Sequence, residues 1–282
     1  MIDTVVVSFL YPELKPYLAE YFDSLMDQND QAYDLLFFND GFLELEKELK
    51  PLRDKGLTIQ IVGLTGTPTE IRFQALKYLL TTTYSNILFQ DADDLMTLDR
   101  IAVCKKFLSD FPLVVCDLDL INQQSKLIKE KVWSDRLEDS FEFDHQFIQN
   151  WNIVGFGNIA LRRELIDVGI QDFKKSVRVA DWFFFYQILY LSKAKGIFTN
   201  QARILYRQHD RNMVGLGSIS EESIEKAFET KKEQYQALLK IGIDSSRMMN
   251  LLNDQELLWS KNHAIKNVDY YPFWWEETTF IK

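Results

Sequence analysis

The chain is poor in cysteine, in positive charge and in long apolar runs. Its 282 residues include two cysteines, Cys104 and Cys116. One falls on a predicted helix, the other on a predicted strand, without metal-ligand spacing. This predicts buried reduced thiols in a cytoplasmic protein. No apolar run approaches the length of a membrane span. The start, Met1-Ile2-Asp3-Thr4, lacks the basic region of a signal peptide and runs straight into a strand. The expectation is a soluble cytoplasmic protein. Basic residues number 32 against 42 acidic ones, a formal charge of −10. That argues against a general nucleic-acid binder, which needs a basic face for phosphates. Any nucleotide site must then find its positive charge locally, from a metal and a few arginines. There is no internal repeat and no low-complexity segment. What is abundant is core material: 46% hydrophobic and 14% aromatic residues exclude disorder and suit one large α/β domain or two smaller ones.

Along the chain, Thr4–Leu10 reads as a buried strand. A helix follows to about Met26, with Leu18, Tyr21, Phe22 and Leu25 on one stripe. Asp34–Asn39 is a second strand, closed by Asn39-Asp40-Gly41, and Leu43–Lys55 a helix with a solvated Glu/Lys face. Thr58–Val62 is the third strand. Thr67 and Glu70 then have capping-box spacing, with Pro68 at the first helical position. Asn86–Phe89 is the fourth strand. Four strand–helix units in succession predict a parallel, doubly wound sheet.

Further on, Leu98–Ser109 reads as a helix and Leu113–Asp119 as a strand that Lys126–Trp133 pairs as a hairpin. The 134–150 stretch reads as irregular. Gly155-Phe156-Gly157-Asn158 is a turn entering a strand, and a helix then ends near Gly169. Asp181–Ser192 is a helix buried on more than one side. Ile197–Thr199 and Ile204–Tyr206 are short strands. From Ser218 two charged helices, Glu221–Ile241 and Arg247–His263, form a helical appendage that ends in the aromatic tail Tyr270-Tyr271-Pro272-Phe273-Trp274-Trp275.

The stretch Asn86–Asp94 organises the rest. Ile87, Leu88 and Phe89 run into Asp91, Asp93 and Asp94. Ligands of open α/β sheets sit beyond the carboxyl ends of strands, so these acids should project into that crevice. Crowded carboxylates repel unless a cation relieves them. Hard oxygen ligands suit Mg²⁺ or Mn²⁺ with substrate phosphates. A calcium loop is excluded, because no central glycine follows Asp94 and the twelfth position is Ala102.

The order of these features resembles the family 2 glycosyltransferases, which have the GT-A fold, over roughly residues 3–215. It rests on Val5-Val6-Val7-Ser8-Phe9, Asn39-Asp40-Gly41, Arg72 on the helix before the acidic strand, Asp91-Ala92-Asp93-Asp94, Ala180-Asp181-Trp182, and Tyr206-Arg207-Gln208-His209 with Asn212. The resemblance implies an α/β, Rossmann-like GT-A domain over 1–217, with a nucleotide-sugar half (1–100) and an acceptor half (101–217), followed by the helical extension 218–282.

It also implies a function: an inverting, hexosyltransferase-type enzyme that takes a sugar from a UDP-linked donor to an acceptor hydroxyl in bacterial polysaccharide or glycan biosynthesis. Asp40 would hold the base and Asp91 the ribose, with Ser8, Arg72 and Arg207 also on the donor. Asp93 and His209 would bind Mn²⁺ or Mg²⁺, and Asp181 would be the general base. The acceptor would be a glycan or lipid-linked glycan, which makes peripheral contact with the inner membrane face an open expectation. Glu276 and Glu277 disfavour approach to anionic lipid.

The chemistry is coherent without the family. A divalent ion stabilises a leaving diphosphate as a Lewis acid, and a positioned carboxylate activates the hydroxyl. Two departures stand out: Asn39 replaces the usual first aspartate, and Ala180 the acid before the base. Plainer roles compete at each position. Asp181 could cap its helix, Arg72 could be a surface ion-pair partner, and His209 a structural histidine, as His145 and His263 are expected to be. Trp182 reads as core, although it could border the acceptor. Trp274 and Trp275 are expected to pack the tail onto the body or a second subunit. Two rival functions remain. A non-catalytic nucleotide-sugar-binding module is one. A haloacid-dehalogenase-type phosphoryl-transfer enzyme is the other, though its Asp-X-Asp motif belongs on the first strand.

Overall fold

The computed structural model describes residues 2–170, 177–209, 216 and 219–282. The sheet begins with β1 (Thr4–Leu10), β2 (Asp34–Asn39), β3 (Ile59–Gly63) and β4 (Asn86–Phe89). Their order is β3-β2-β1-β4, all parallel, with Val7 opposite both Leu36 and Phe89. The chain winds outward from β1 to β3, then returns to the other flank of β1 to lay down β4. That reversal opens a crevice above the carboxyl ends of β1 and β4.

Antiparallel β9 (Ile159–Arg162) follows β4 in the sheet, then β6 (Leu113–Ile121), β10 (Gly196–Arg207) and β5 (Leu95–Met96). Two short strands lie off this path: β7 (Leu127–Lys129) pairs with β6, and β8 (Phe141–Phe143) with β10. Each parallel pairing is longer than any antiparallel one, so the sheet is mostly parallel, as expected.

The helices follow from local chemistry. A 3₁₀ turn (Pro12–Tyr17) leads into α1 (Leu18–Met26), which buries Leu18, Tyr21, Phe22 and Leu25. The expected 43–55 helix is two short ones, α2 (Leu45–Glu48) and α3 (Lys50–Asp54). Pro51 lacks an N–H and starts the second instead of continuing the first. In α4 (Pro68–Leu79) the Thr67 hydroxyl accepts from the Glu70 N–H, and Glu70 Oε2 accepts from the Thr67 N–H. The remaining helices are α5 (Arg100–Leu108), α6 (Glu164–Gly169), α7 (Ala180–Ser192), α8 (Glu221–Lys240) and α9 (Ser246–Asn262). Helix α7 is buried continuously from Trp182 to Leu189, as suits a segment apolar all round.

Three further differences arise from long-range pairing. The irregular 134–150 stretch contains β8. Leu95–Met96 pairs with Leu205 and Ile204 as β5. The two short strands after residue 196 are one strand, β10, bulged between Thr199 and Arg203. The expected boundary at 217/218 and Asn212 lie outside the described residues. Ile224, Phe228, Tyr235 and Leu238 of α8, with Met248, Leu252 and Trp259 of α9, join the same hydrophobic core as the sheet. Among the described residues no helix is long and apolar enough to cross a membrane.

A candidate active site at the strand ends

A cavity of about 550 Å³ lies over the switch point, a size typical of small-molecule sites. Phe9 and Tyr11 at the end of β1, Asp40 after β2, and Pro68, Ile71 and Arg72 at the start of α4 form one side. Asp91, Asp93 and Asp94 after β4 form the floor. Asp181, Tyr206 and Trp274 also line it. Thus Asp40, Arg72, Asp91, Asp93, Asp181 and His209, six of the residues selected from sequence, line one cavity.

Two others do not. Ser8 is fully buried and its hydroxyl pairs with the Tyr21 hydroxyl; Phe9, one residue on, reaches the cavity instead. Arg207 is fully buried as well. Its Nε donates to the Asp93 carbonyl at 2.6 Å, its N–H to Asp94 Oδ1 at 2.8 Å, and Nη2 to Glu20 at 2.8 Å. Arg207 therefore fixes the acidic loop and stays out of the cavity wall.

The acids differ in what surrounds them. Burial, reinforced by the Asp93 charge, pushes the Asp91 carboxyl up to about 6. Burial, then Asp93 and Asp91, raises Asp94 well above the ordinary carboxylate range, against the pull of its bond from the Arg207 N–H. Burial also raises Asp181, and the Arg72 cation partly offsets it. Asp181 lies inside the first turn of α7 and its Oδ1 accepts from the Trp182 N–H at 2.7 Å; the cap position is Val179. Asp181 thus does not hold the cap position, and the helix start favours its negative charge.

The Arg72 guanidinium lies 5.3 Å from the Phe9 ring centre and 5.6 Å from that of Phe156, an aromatic seat for a cation. His209 Nε2 stands 3.0 Å from Asp93 Oδ2, and its ring stacks on Tyr17 at 5.5 Å. Among the described residues no group of three or more His, Cys, Asp or Glu side chains could enclose a metal ion. An oxygen-and-imidazole pair still fits Mg²⁺ or Mn²⁺, which commonly complete their shells with phosphate oxygens and water.

Gly155 and Gly157 bring the two acidic sides together. A Cβ on Gly157 would stand 2.5 Å from Asp91 Oδ2. One on Gly155 would stand 3.3 Å from the Trp274 ring and 3.6 Å from Asp181 Oδ2. Asn158 holds this turn: Oδ1 accepts from the Gly155 N–H at 2.9 Å, and Nδ2 donates to the Ile153 and Cys116 carbonyls. Phe156 packs edge-on to Phe89 at 4.9 Å.

The two departures from the family pattern have local explanations. The Asn39 amide both accepts from the Phe42 N–H and donates to its carbonyl, which an ionised aspartate could not do. Ala180 is buried at the start of α7. Sequence reasoning missed Tyr11, Phe156 and Trp274 as wall residues. The aromatic tail carried a signal, yet nothing local revealed where it folds. Trp182 is core, its indole N–H donating to the Ile148 carbonyl at 2.6 Å. The acids expected to repel lipid do not form an exposed edge: Glu276 is buried against Arg136, and Glu277 Oε2 is buried too.

No family model matches the sequence, and no curated protein does. Solved structures match its shape. S. aureus TarS 1-349 in complex with UDP-GlcNAc superposes with TM-score 0.60 at 15% identity, covering 84% of this chain and 66% of that one. The mannosyltransferase PcManGT from Pyrobaculum calidifontis, in complex with GDP-Man and Mn²⁺, gives 0.57 at 16% identity, covering 86% and 65%. GalNAc-T7 with UDP, GalNAc and Mn²⁺ gives 0.52 at 12% identity, covering 74% and 44%. The chain thus spans about two thirds of the length of TarS 1-349. These likenesses establish the GT-A fold.

Proposed function

We propose that this GT-A-fold chain is a metal-dependent glycosyltransferase that moves a sugar from a nucleotide diphosphate sugar, UDP-linked, to an acceptor hydroxyl with inversion. The observation that carries this reading is the convergence of Asp91 and Asp93, after β4, with Asp181, from α7, on one cavity at the switch point. The solved structures that share the fold hold UDP-GlcNAc, UDP with Mn²⁺, or GDP-Man with Mn²⁺, which supports the donor class.

Asp40 takes the base and Asp91 the ribose, with Arg72 beside the diphosphate. Bound Mn²⁺ or Mg²⁺ held by Asp93 and His209 supplies Lewis-acid stabilisation to the leaving group. Asp181 accepts the proton of the acceptor hydroxyl. The hydroxyl oxygen bonds to the anomeric carbon while the bond from that carbon to the diphosphate breaks, and the electron pair leaves with the diphosphate. Burial strengthens Asp181 as a base, and such positioned bases contribute about 10²–10⁴-fold. Arg207 acts as a positioning residue for the acidic loop. A product in bacterial surface polysaccharide or glycan fits this chemistry.

The phosphoryl-transfer reading is set aside, because the acidic motif follows the fourth strand of a GT-A sheet. The binding-module reading draws nothing from Asn39, whose amide is held by Phe42. UDP with Mn²⁺ should raise the melting temperature, and UDP-sugar turnover should vanish in Asp181→Asn while that response survives. An Asp181→Asn protein with full turnover would remove the base; a wild type that binds UDP and never turns over would be a binding module.

A further inference from the structure

Part of the cavity wall comes from the last residues of the chain, and the proposed reaction leaves them without a role. Their path is held firmly. Arg136 donates to both oxygens of Glu276, at 2.5 and 2.6 Å. Its guanidinium also lies 3.9 Å from the Phe273 ring centre and 4.5 Å from that of Tyr270. Glu276 Oε2 accepts from the Phe273 N–H at 2.9 Å, and the Trp133 indole donates to the Pro272 carbonyl at 3.3 Å. The Trp274 N–H and carbonyl both pair with the backbone of Asn152. Trp275 adopts φ +66 and is buried against Trp182 and Ala227. That is a conformation residues with a Cβ avoid, and it persists only where the surroundings impose it.

The outcome of this anchoring is the placement of Trp274. Carbons of its six-membered ring and Asp181 Oδ2 all lie within 3.6 Å of the point where a Gly155 Cβ would stand. The cavity there presents an aromatic ring with a carboxylate beside it. Asp40 follows β2, whereas Asp181 comes from the start of α7 and Trp274 from the C-terminal segment.

We propose that Trp274 is the acceptor platform, and that the acceptor is a carbohydrate whose pyranose ring lies on the indole with one hydroxyl directed to Asp181. The inference rests on the glycosyl-transfer reading and adds the acceptor's chemical class to it. A pyranose has a face of C–H bonds and a rim of hydroxyls. The face suits the electron-rich indole and the rim suits the carboxylate, whereas a purely apolar chain would desolvate Asp181 and offer it no hydrogen bond beyond that of the Trp182 N–H. The C-terminal segment is thus a positioning device for the acceptor.

The test is indole ¹⁵N–¹H NMR of the full chain, with the Trp274 resonance identified by its loss in Trp274→Phe. UDP and Mn²⁺ are added first, then methyl β-glucopyranoside, methyl β-galactopyranoside and methyl N-acetyl-β-glucosaminide. The saccharides should shift Trp274 and leave Trp259, on α9, unmoved. Trp274→Ala should weaken saccharide binding about tenfold; saccharide affinity equal to wild type would refute the platform. If UDP binds and no saccharide moves Trp274, the acceptor assignment is refuted while glycosyl transfer stands. UDP alone moving Trp274 as far as the saccharides do would make it a nucleotide platform, also a refutation. Farnesyl phosphate shifting it in place of the saccharides would assign it to a lipid instead. Absence of any UDP response removes the glycosyl-transfer reading itself.

Discussion

Gly157→Ala is the sharpest single-atom test of the site. The added methyl would sit 2.5 Å from Asp91 Oδ2 and 3.2 Å from its Cγ. Ordinary contact lies nearer 3.5 Å, so one partner must move by about 1 Å. The turn resists: Asn158 ties it to Ile153, Gly155 and Cys116, and Arg100 donates to the Gly157 carbonyl at 3.4 Å. Asp91 therefore swings. Overpacking of this kind costs about 1–3 kcal/mol. Rotation of one short side chain keeps the cost near the lower bound, a fall in Tm of about 2–4 °C. The functional cost is larger, because misplacement by about 1 Å can cost about 10²-fold. The assay is paired: Tm of the free protein, and UDP affinity with Mn²⁺ at pH 7.5. Gly155→Ala is the control, since its methyl would meet Trp274 at 3.3 Å without touching Asp91. It should leave UDP affinity within about threefold, well inside 1.4 kcal/mol. Gly157→Ala binding UDP as wild type does would show that the carboxylate position does not matter to the donor, and the reasoning would fail.

Other expectations follow from the same geometry. Burial raises Asp181 from its ordinary value, so stability falls as pH rises through that raised value. Asp181→Asn should melt at or above wild type at pH 7.5 while turnover is lost; a marked destabilisation would argue for a structural role. Asp93→Ala, or chelation of divalent ions, should weaken UDP binding by about 100-fold, equivalent to about 3 kcal/mol, as read by calorimetry; equal affinity in EDTA would sink the metal assignment. Arg136→Met removes the ion-pair partner of buried Glu276, which keeps only the Phe273 N–H bond and the Lys231 charge, at a cost of about 3 kcal/mol, and the double variant with Glu276→Gln should recover much of that Tm. Lys231 is buried, donates to Thr278 Oγ1 at 2.7 Å, faces Glu276 and Glu277, and is pulled down to about 7 by burial. Its folded value lies below its unfolded one, so the charged form penalises the fold fully below pH 7 and less as pH climbs. Lys231→Met should therefore raise Tm most below pH 7, with the gap narrowing towards pH 10.

What the sequence made legible was local or tied to strand ends. The α4 capping box needs four residues, and both its bonds form. Strands β1 to β4 announce themselves by apolar runs, and Asp40 and Asp91 are legible as cavity residues because each follows a strand. Ser8 misleads because β1 is buried on both faces, so alternation could not say which side chain reaches the crevice. Arg207 misleads for another reason: a charged residue in a motif suggested a ligand, whereas its guanidinium is spent on the Asp93 carbonyl, Glu20 and Ser125. The two-residue strand β5 and the bulge in β10 depend on partners about 110 residues apart or on a register shift, and carry no local pattern. The place of Trp274 depends on Asn152 and Arg136, both remote in sequence.

The charge of the site gives the proposed metal its physical reason. Among the described residues lining the cavity, Glu13, Asp40, Asp91, Asp93, Asp94 and Asp181 face Arg72 as the permanently charged base. A diphosphate entering such a space meets repulsion from every side but one, and burial makes those interactions stronger than in water. Burial first, and the Asp93 charge second, already push the Asp91 carboxyl up to about 6. One added divalent ion would offset two of the negative charges that Asp91, Asp93 and Asp94 bring to the cavity. It would relieve the Asp91–Asp93 repulsion and attract the phosphates in one act, leaving Asp181, held by the start of α7, free to stay basic. On the proposed reading an acidic chain would thus bind an acidic donor without a basic surface, and its affinity would be gated by the ion.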